Sequence, residues 1–132
     1  MTIWHVREFH RRFQLPDGSD NMLMADPAAI EFRLGFLAEE LQELRVAFNE
    51  QDRVCAVDAM VDMTYVLFGT ALMTGVDPSR WDECFSAVHA ANMRKVRVRA
   101  VEESKRKSLW DVRKPAGWTG PEPEIRRVLG EP

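Results

Sequence analysis

Hydrophobic residues recur at helical spacing along most of the chain, and no stretch shows the alternation of a half-buried strand. The pattern predicts a first helix over residues 2–14. A second helix is predicted to start at Asp26-Pro27, since aspartate caps free N–H groups and proline suits the first helical position. A third is predicted over residues 52–74, ending at Gly75, and a fourth starts at Asp77-Pro78. Short connections favour antiparallel neighbours, so the predicted fold class is all-α, an antiparallel four-helix-bundle core.

Two of these helices carry an apolar side that predicts where the core lies. Steps of four and three in the second helix place six apolar residues together: Ile30, Leu34, Leu37, Leu41, Leu44 and Phe48. The fourth helix is expected to direct Trp81, Phe85 and Val88 toward the same core.

The third helix is apolar nearly all round, which is not the pattern of a surface helix. Such a helix is central in a bundle or oligomer, or it spans a membrane. A membrane is disfavoured because Asp58 and Asp62 lie within the segment, and each aspartate costs roughly 2.5–3.5 kcal/mol at a bilayer centre. The sequence therefore predicts a homodimer or homotetramer and no membrane association.

Composition agrees with a folded intracellular chain. Of the 132 residues, 45% are hydrophobic and 30% charged, which excludes disorder along the whole length. Cys55 and Cys84 are too few for a zinc site or a disulfide framework, so a reducing compartment is expected. The first residues mix charged and apolar groups, unlike a secretory signal. We expect a cytoplasmic location.

Charge is divided unevenly along the chain. Residues 93–114 carry nine basic and three acidic side chains, a balance of +6 within a chain whose net charge is −3. Hydrophobic periodicity fades in the same stretch, so a helical core over residues 1–98 and a basic C-terminal tail over 99–132, partly docked or mobile, are predicted. The basic run is either a solvated face or an anion contact, and position alone does not decide between them.

Five carboxylates stand out on the second and third helices. Glu39, Glu40 and Glu43 follow one edge of the second helix, and Asp58 and Asp62 are four residues apart on the third. Neither acidic stretch contains lysine or arginine. One interpretation directs the glutamates to solvent and pairs the aspartates with distant arginines. The other is a hard divalent cation, which prefers oxygen ligands and bridges carboxylates to phosphates. Because Asp62 lies among apolar residues, we expect it to have little access to solvent.

The sequence does not contain the residues that other kinds of catalytic centre require. Di-iron bundles use Glu-x-x-His on two helices, and His5, His10 and His89 stand in no such spacing. Zinc prefers cysteine or histidine clusters, which the sequence does not contain. A serine or cysteine nucleophile needs a partnered histidine, and His89 has no evident acid to orient it. His10 and His89 are therefore expected on the surface or in packing.

These residues together resemble the MazG-like all-α nucleoside triphosphate pyrophosphohydrolases. That superfamily includes MazG, the dimeric dUTPases and phosphoribosyl-ATP pyrophosphohydrolase. The resemblance runs from the first helix to Trp118 and is carried by Glu8–Arg11, Glu39-Glu40-x-x-Glu43, Asp58–Ala71, Val88–Lys95 and Lys114–Trp118. One position departs from the superfamily pattern. The second acidic helix of the superfamily has Glu-x-x-Asp, whereas this chain has Ala59 three residues before Asp62. Asp58 is the available substitute.

The resemblance implies hydrolysis of a nucleoside or deoxynucleoside triphosphate to the monophosphate and pyrophosphate, with dUTP and non-canonical nucleotides among the candidate substrates. It implies Mg²⁺, with Mn²⁺ as a possible replacement. Glu40, Glu43 and Asp62 are the first expected ligands, Asp58 supports them, and Glu39 is either a ligand or the water-activating base. The catalytic set is then Glu39, Glu40, Glu43 and Asp62. Base, sugar or phosphate contacts are assigned to Asn92, Lys95, Arg94 and Tyr65.

Two alternatives stay open. A non-catalytic helical adaptor or nucleic-acid-binding module would use the basic segment, require no metal, and tolerate Glu43→Ala with Asp62→Ala. A phosphoribosyl-ATP pyrophosphohydrolase ranks below the MazG-like group, because the tail and residues 65–71 resemble that group more. With a triphosphate as substrate, nucleic acid is not an expected partner.

Overall fold

The computed structural model describes residues 2–132, which form helices and one short two-stranded ribbon. In chain order the elements are α1 (Thr2–Arg12), α2 (Pro27–Asn49), α3 (Arg53–Met73), α4 (Pro78–Met93), β1 (Val96–Arg97), β2 (Val112–Arg113) and α5 (Glu122–Leu129). Single 3-10 turns occupy Leu23–Ala25 and Val101–Glu103. The prediction of an all-α fold is confirmed.

Helix ends follow the capping residues that the sequence offers. Asp26 Oδ1 accepts a hydrogen bond from Ala29 N at 3.1 Å, and Asp52 Oδ1 accepts one from Cys55 N at 3.0 Å. Each bond satisfies an N–H group that has no partner within its helix. Gly75 follows α3 in the left-handed region with φ of 76°, as a helix-ending glycine does.

The ribbon was not expected. Val96 pairs with Arg113 and Arg97 with Val112 in antiparallel register. Two residues per strand are too few to produce a readable alternation.

Contacts divide the chain into two compact units, one ending at Pro78 and the other running from Ser79 to Pro132. The division reflects contact density alone, so the predicted core and tail meeting at residue 98 stay a prediction. The first unit contains α1, α2 and α3, and the second contains nearly all of α4, the ribbon and α5.

In the first unit α2 and α3 form an antiparallel hairpin, and α1 packs on α3. The predicted apolar seam of α2 is rotated from its expected position. Leu34, Leu41 and Phe48 are 53%, 46% and 61% exposed, whereas the buried residues of α2 are Arg33, Glu40 and Ala47. The small residues Ala56 and Ala59 of α3 are buried. Small side chains on α3 leave room for the two long polar side chains of α2.

Much apolar surface is exposed on this chain by itself. On α3 the exposed residues include Val54, Val57, Met60, Val61 and Leu67. By length and composition α3 is the helix within residues 2–132 that is long and apolar enough to cross a membrane, a test that core helices also pass. In the second unit Phe85 is 63% exposed and Val88 37%, so their predicted core positions are wrong for the single chain.

Arg33 joins α2 to α3 deep in the first unit. Its Nε donates to Thr70 Oγ1 at 3.0 Å and its Nη2 to the Val66 carbonyl at 2.6 Å. His10 of α1 is 3% exposed, and its Nδ1 donates to the Pro16 carbonyl. Both side chains approach Gly69, where a Cβ would lie 2.7 Å from Arg33 Nη2 and 2.8 Å from His10 Nε2. The three helices therefore meet at a residue without a side chain.

Gly69→Ala is expected to lower the free energy of unfolding by about 1–3 kcal/mol, the usual cost of overpacking. The added methyl group displaces Arg33 from its buried hydrogen bonds or His10 from its pocket. Gly35→Ala on α2 is the matched control, because a Cβ there meets nothing within 4 Å. Alanine has the better helix propensity, so this control should gain about 0.5–1 kcal/mol. Urea titrations of both variants measure the difference, and equal stabilities would contradict the crowding at Gly69.

Candidate functional site

One glutamate of the acidic set lies inside the hairpin. Glu40 is 8% exposed, and its Oε2 has no hydrogen-bond partner among residues 2–132. Its position seven residues after Arg33 places it on the side of α2 that packs against α3. A buried carboxylate without a hydrogen bond or counter-charge is costly. This position therefore calls for an explanation.

The other four acids surround Glu40 without neutralising it. Burial raises the pKa of Glu40 above its ordinary value, and the charges of Glu43, Asp62, Glu39 and Asp58 raise that pKa further, in this order. Glutamates of α2 and aspartates of α3 thus act on the same carboxyl group. The structure brings the five predicted acids into one electrostatic cluster, which we call the acidic cluster.

Burial within the acidic cluster is the reverse of the expectation. Asp62 was predicted to be shut off from solvent, but it is exposed, as are Asp58, Glu39 and Glu43. Ala59 occupies the buried side of α3, and Asp62 lies one turn further at the edge of that side. The apolar neighbours of Asp62 in sequence belong to other sides of the helix, so they do not cover it.

Ala59 also marks where the chain departs from the superfamily pattern. It is 3% exposed, so a glutamate at this position would enter the packing between α2 and α3. Asp58, the predicted substitute, is exposed beside it. In the part of the chain that the structure describes, residues 2–132, no three Asp, Glu, His or Cys side chains converge as a metal cluster.

An apolar groove lies between α1 and α3. It measures about 500 Å³ and is lined by Thr2, His5, Val6, Val57, Met60, Val61, Thr64, Tyr65 and Phe68. A second groove, which Asp58 borders, shares Val57 and Val61 with the first. Apolar surface and carboxylates are therefore adjacent, which is the usual composition of a small-molecule site.

Tyr65 is partly committed to packing. Its ring meets Phe9 edge-on, with centroids 5.6 Å apart and planes at 87°. The side chain remains 37% exposed, and burial followed by the charge of Glu8 raises its pKa. One face of the ring thus supports α1 while part of the ring borders the groove.

The remaining predicted substrate contacts belong to the second unit. Asn92 is exposed on α4. Arg94 donates to the carbonyls of Ala90 at 3.1 Å and Thr119 at 3.0 Å, and Lys95 Nζ lies 5.5 Å from the centre of the Trp118 ring. These contacts hold residues 118–119 against the end of α4. The substrate contacts assigned to Asn92, Arg94 and Lys95 stay predictions.

Sequence reasoning missed Arg33 and Gly69, which fix the register of the two acidic helices. A signal was present, because residues 33, 40 and 47 are spaced by seven and share one side of α2. Only Ala47 among them is apolar, so a search for apolar periodicity passed over the buried side.

The geometry of two acidic helices in an all-α hairpin agrees with a comparison to known families. Residues 6–92, about two thirds of the chain, match the phosphoribosyl-ATP pyrophosphohydrolase family. The chain belongs to this family and is a pyrophosphohydrolase of the MazG-like all-α superfamily. No curated protein matches the chain closely enough to count as a relative. The match spans both acidic helices and includes Asn92, whereas Arg94 and Lys95 lie beyond it.

Glu40→Gln is expected to raise the free energy of unfolding near pH 8 in EDTA, because glutamine keeps the shape and removes the penalised charge. The native pKa is raised, so the native state holds this proton more tightly than the unfolded chain does. The parent protein therefore loses stability as pH rises through the raised pKa. The gain should vanish below the ordinary value of 4.5.

Urea titrations from pH 4 to 8 measure this effect. Glu31→Gln, at an exposed position of the same helix, is the control and should leave stability within about 0.5 kcal/mol at every pH. A Glu40→Gln variant less stable than the parent at pH 8 would show that an unseen cation or donor compensates the carboxylate.

Proposed function

We propose that the protein is a Mg²⁺-dependent nucleoside triphosphate pyrophosphohydrolase, which converts an NTP or dNTP to the monophosphate and pyrophosphate. The observation that carries the proposal is the buried Glu40 carboxylate, which has no hydrogen-bond partner at Oε2 and is surrounded by four further acids. A divalent cation would supply the positive charge that the buried Glu40 carboxylate lacks, which solvent exposure of the other four acids does not.

The acidic cluster fits a hard cation by the chemistry of its donors. All five side chains offer carboxylate oxygens, the ligands that Mg²⁺ prefers, and Mn²⁺ accepts the same set. Glu40, Glu43 and Asp62 are the first candidates, with Asp58 and Glu39 beside them. Their oxygens do not converge as they stand, so binding of a cation requires the exposed side chains to change rotamer. Mg²⁺ held there would neutralise phosphate charge and polarise the phosphorus that water attacks.

The remaining roles follow from exposure and position. Glu39 is exposed at the rim of the acidic cluster, so it is either a ligand or the base that takes the proton of the attacking water. The apolar groove between α1 and α3 has the size of a small-molecule site and suits the base, with Tyr65 offering its exposed edge. The adjoining groove, which shares Val57 and Val61 with it, is bordered by Asp58. Asn92, Arg94 and Lys95 are proposed to contact the sugar or the phosphates.

Phosphoribosyl-ATP is the second candidate substrate, because the family match favours it. It contains the same triphosphate group, so the acidic cluster would act on it in the same way. The two substrates differ at the base, which carries an additional ribosyl phosphate. Discrimination between them therefore depends on the groove and on cations that meet the additional phosphate.

Replacing the exposed acids tests the activity. Asp62→Asn and Glu43→Gln should each lower pyrophosphate release in Mg²⁺ by more than about a hundredfold, beyond the 10–100-fold loss typical of outer-shell partners of a metal. Both positions are exposed, so both variants should fold as the parent does. The Glu31→Gln control should retain full activity. A panel of canonical, deoxy and modified triphosphates with phosphoribosyl-ATP identifies the substrate class.

Metal binding has a readout that does not depend on finding the substrate. Mg²⁺ at a hundred times its dissociation constant adds about 2.7 kcal/mol when only the folded state binds. The melting temperature of the parent should rise with millimolar Mg²⁺, and that of Asp62→Asn should rise less. Equal melting curves with and without Mg²⁺, together with no pyrophosphate release by the parent and an unchanged fold in Glu43→Ala/Asp62→Ala, would favour the non-catalytic alternative.

We also propose that the protein is a homodimer or homotetramer in the cytoplasm. Exposed Leu34, Leu41 and Phe48 of α2 form one apolar side. A second copy would cover this apolar surface, which a monomer rarely exposes. Cys55 and Cys84 are free thiols, which fits a reducing compartment.

Leu41→Glu tests the assembly. A charge in the apolar side should lower the sedimentation coefficient at micromolar concentration, whereas Gln42→Glu, which adds a charge at the neighbouring exposed position, should not. Sedimentation of the parent as a stable monomer at the same concentration would contradict the proposal.

A further inference from the structure

The second unit contains a basic groove, and the proposed reaction uses only Lys95 among the residues that line it. It measures about 460 Å³ and is lined by Lys95, Glu103, Lys105, Arg106, Asp111, Val112, Arg113 and Lys114. Its two acids are already paired, since Asp111 Oδ1 accepts from Arg106 Nη1 at 2.9 Å and Glu103 Oε2 lies 3.5 Å from Arg113 Nε. Lys95 and Lys114 lie over the Trp118 ring, with Nζ 5.5 and 4.5 Å from its centroid, and Lys105 lines the groove without an acidic partner there. The three lysines keep their positive charge, so the groove favours an anion.

An exposed tryptophan stands beside this groove. Trp110 is 96% exposed and directly precedes Asp111, which lines the groove, while Lys105 and Lys107 precede it in the same loop. A tryptophan in a monomeric protein usually buries most of its ring. Full exposure next to excess positive charge is characteristic of a surface that receives a flat, negatively charged partner.

The loop that carries Trp110 is held in place from within. Ser104 is 2% exposed, and its Oγ donates to Asp111 Oδ2 at 2.7 Å. The same Oγ accepts from the backbone N–H groups of Arg106 at 3.0 Å and Ser108 at 3.2 Å. Buried and multiply bonded, Ser104 fixes the backbone on both sides of the basic residues. The ring is therefore presented on an ordered loop, which lowers the entropy cost of binding.

We propose that the basic groove and Trp110 bind single-stranded nucleic acid. The excess lysines line the path of the phosphates, and a base stacks on the Trp110 ring, the combination that non-specific single-strand binders use. A duplex keeps its bases stacked on each other, so it offers the ring no free face. From the sequence, nucleic acid was not an expected partner because the resemblance implied a triphosphate substrate.

Fluorescence anisotropy of a labelled oligothymidylate of about twelve nucleotides tests the proposal at low salt. Trp110→Ala should weaken binding by about tenfold, within the range measured for one stacked base, and Trp110→Phe should recover most of it. Lys105→Gln/Lys107→Gln should reduce the slope of log K against log salt by about 1.4, as expected for two lost contacts with a single strand. Pyrophosphate release should be unchanged in all three variants.

Matched controls separate this site from general charge effects. Trp4→Ala removes a half-exposed tryptophan, and Arg12→Gln removes an exposed cation, both from α1 in the first unit, so neither should change binding. Equal binding by the parent and Trp110→Ala, or tighter binding of a duplex of equal length, would overturn the proposal. Displacement of the oligonucleotide by tripolyphosphate at equal phosphate concentration, or binding to anionic phospholipid vesicles with none to the oligonucleotide, would also overturn it.

Discussion

The hydrogen bonds of Arg33 to Val66 and Thr70 determine the arrangement of the first unit. They fix which turn of α2 faces which turn of α3, and Gly69 lets the guanidinium approach the α3 backbone. Glu40 follows two turns later, about 10 Å along the axis. When Arg33 is hydrogen-bonded to Val66 and Thr70, the position of Glu40 against α3 is fixed as well. The acids of both helices meet because one arginine sets their register.

The two buried ionic groups of α2, Arg33 and Glu40, differ in their hydrogen bonding. Arg33 donates to a carbonyl and a hydroxyl, and burial lowers its pKa, although guanidinium remains charged in proteins. These neutral partners accept hydrogen bonds from Nε and Nη2 and leave the charge of Arg33 uncompensated. Glu40 Oε2 has neither a hydrogen bond nor an opposite charge from residues 2–132. A protein that needed only a stable core would have an apolar residue in place of Glu40. Arg33 is therefore the structural polar group of α2, and Glu40 is the functional one.

The sequence was sufficient for the helices and for the membership of the acidic set, but not for which side of each helix is buried. Caps at Asp26 and Asp52 are local interactions, so they could be predicted from neighbouring residues. The rotation of α2 could not, because it follows from a contact between Arg33 and residues more than thirty positions later. Asp62 was misjudged for the same reason: neighbours in sequence do not cover a side chain at the edge of a helix.

The order of the loop that carries Trp110 could not be predicted from the sequence either. Its composition indicated positive charge. Its order depends on the buried hydroxyl of Ser104, which donates to Asp111 seven residues later. A single serine in a charged segment gives no pattern to read. Composition therefore indicated the kind of partner surface, and only the fold showed that the surface is ordered.

The tight turn between the acidic helices bears on the order of folding. Only Glu50, Gln51 and Asp52 separate α2 from α3, and Gln51 adopts a left-handed conformation with φ of 57°. Closing so short a loop costs little chain entropy, and local contacts of this kind form rapidly. Both halves of the acidic cluster thus come from one continuous stretch of chain. The hairpin that joins them can form from local contacts alone, before any contact with the basic segment is needed.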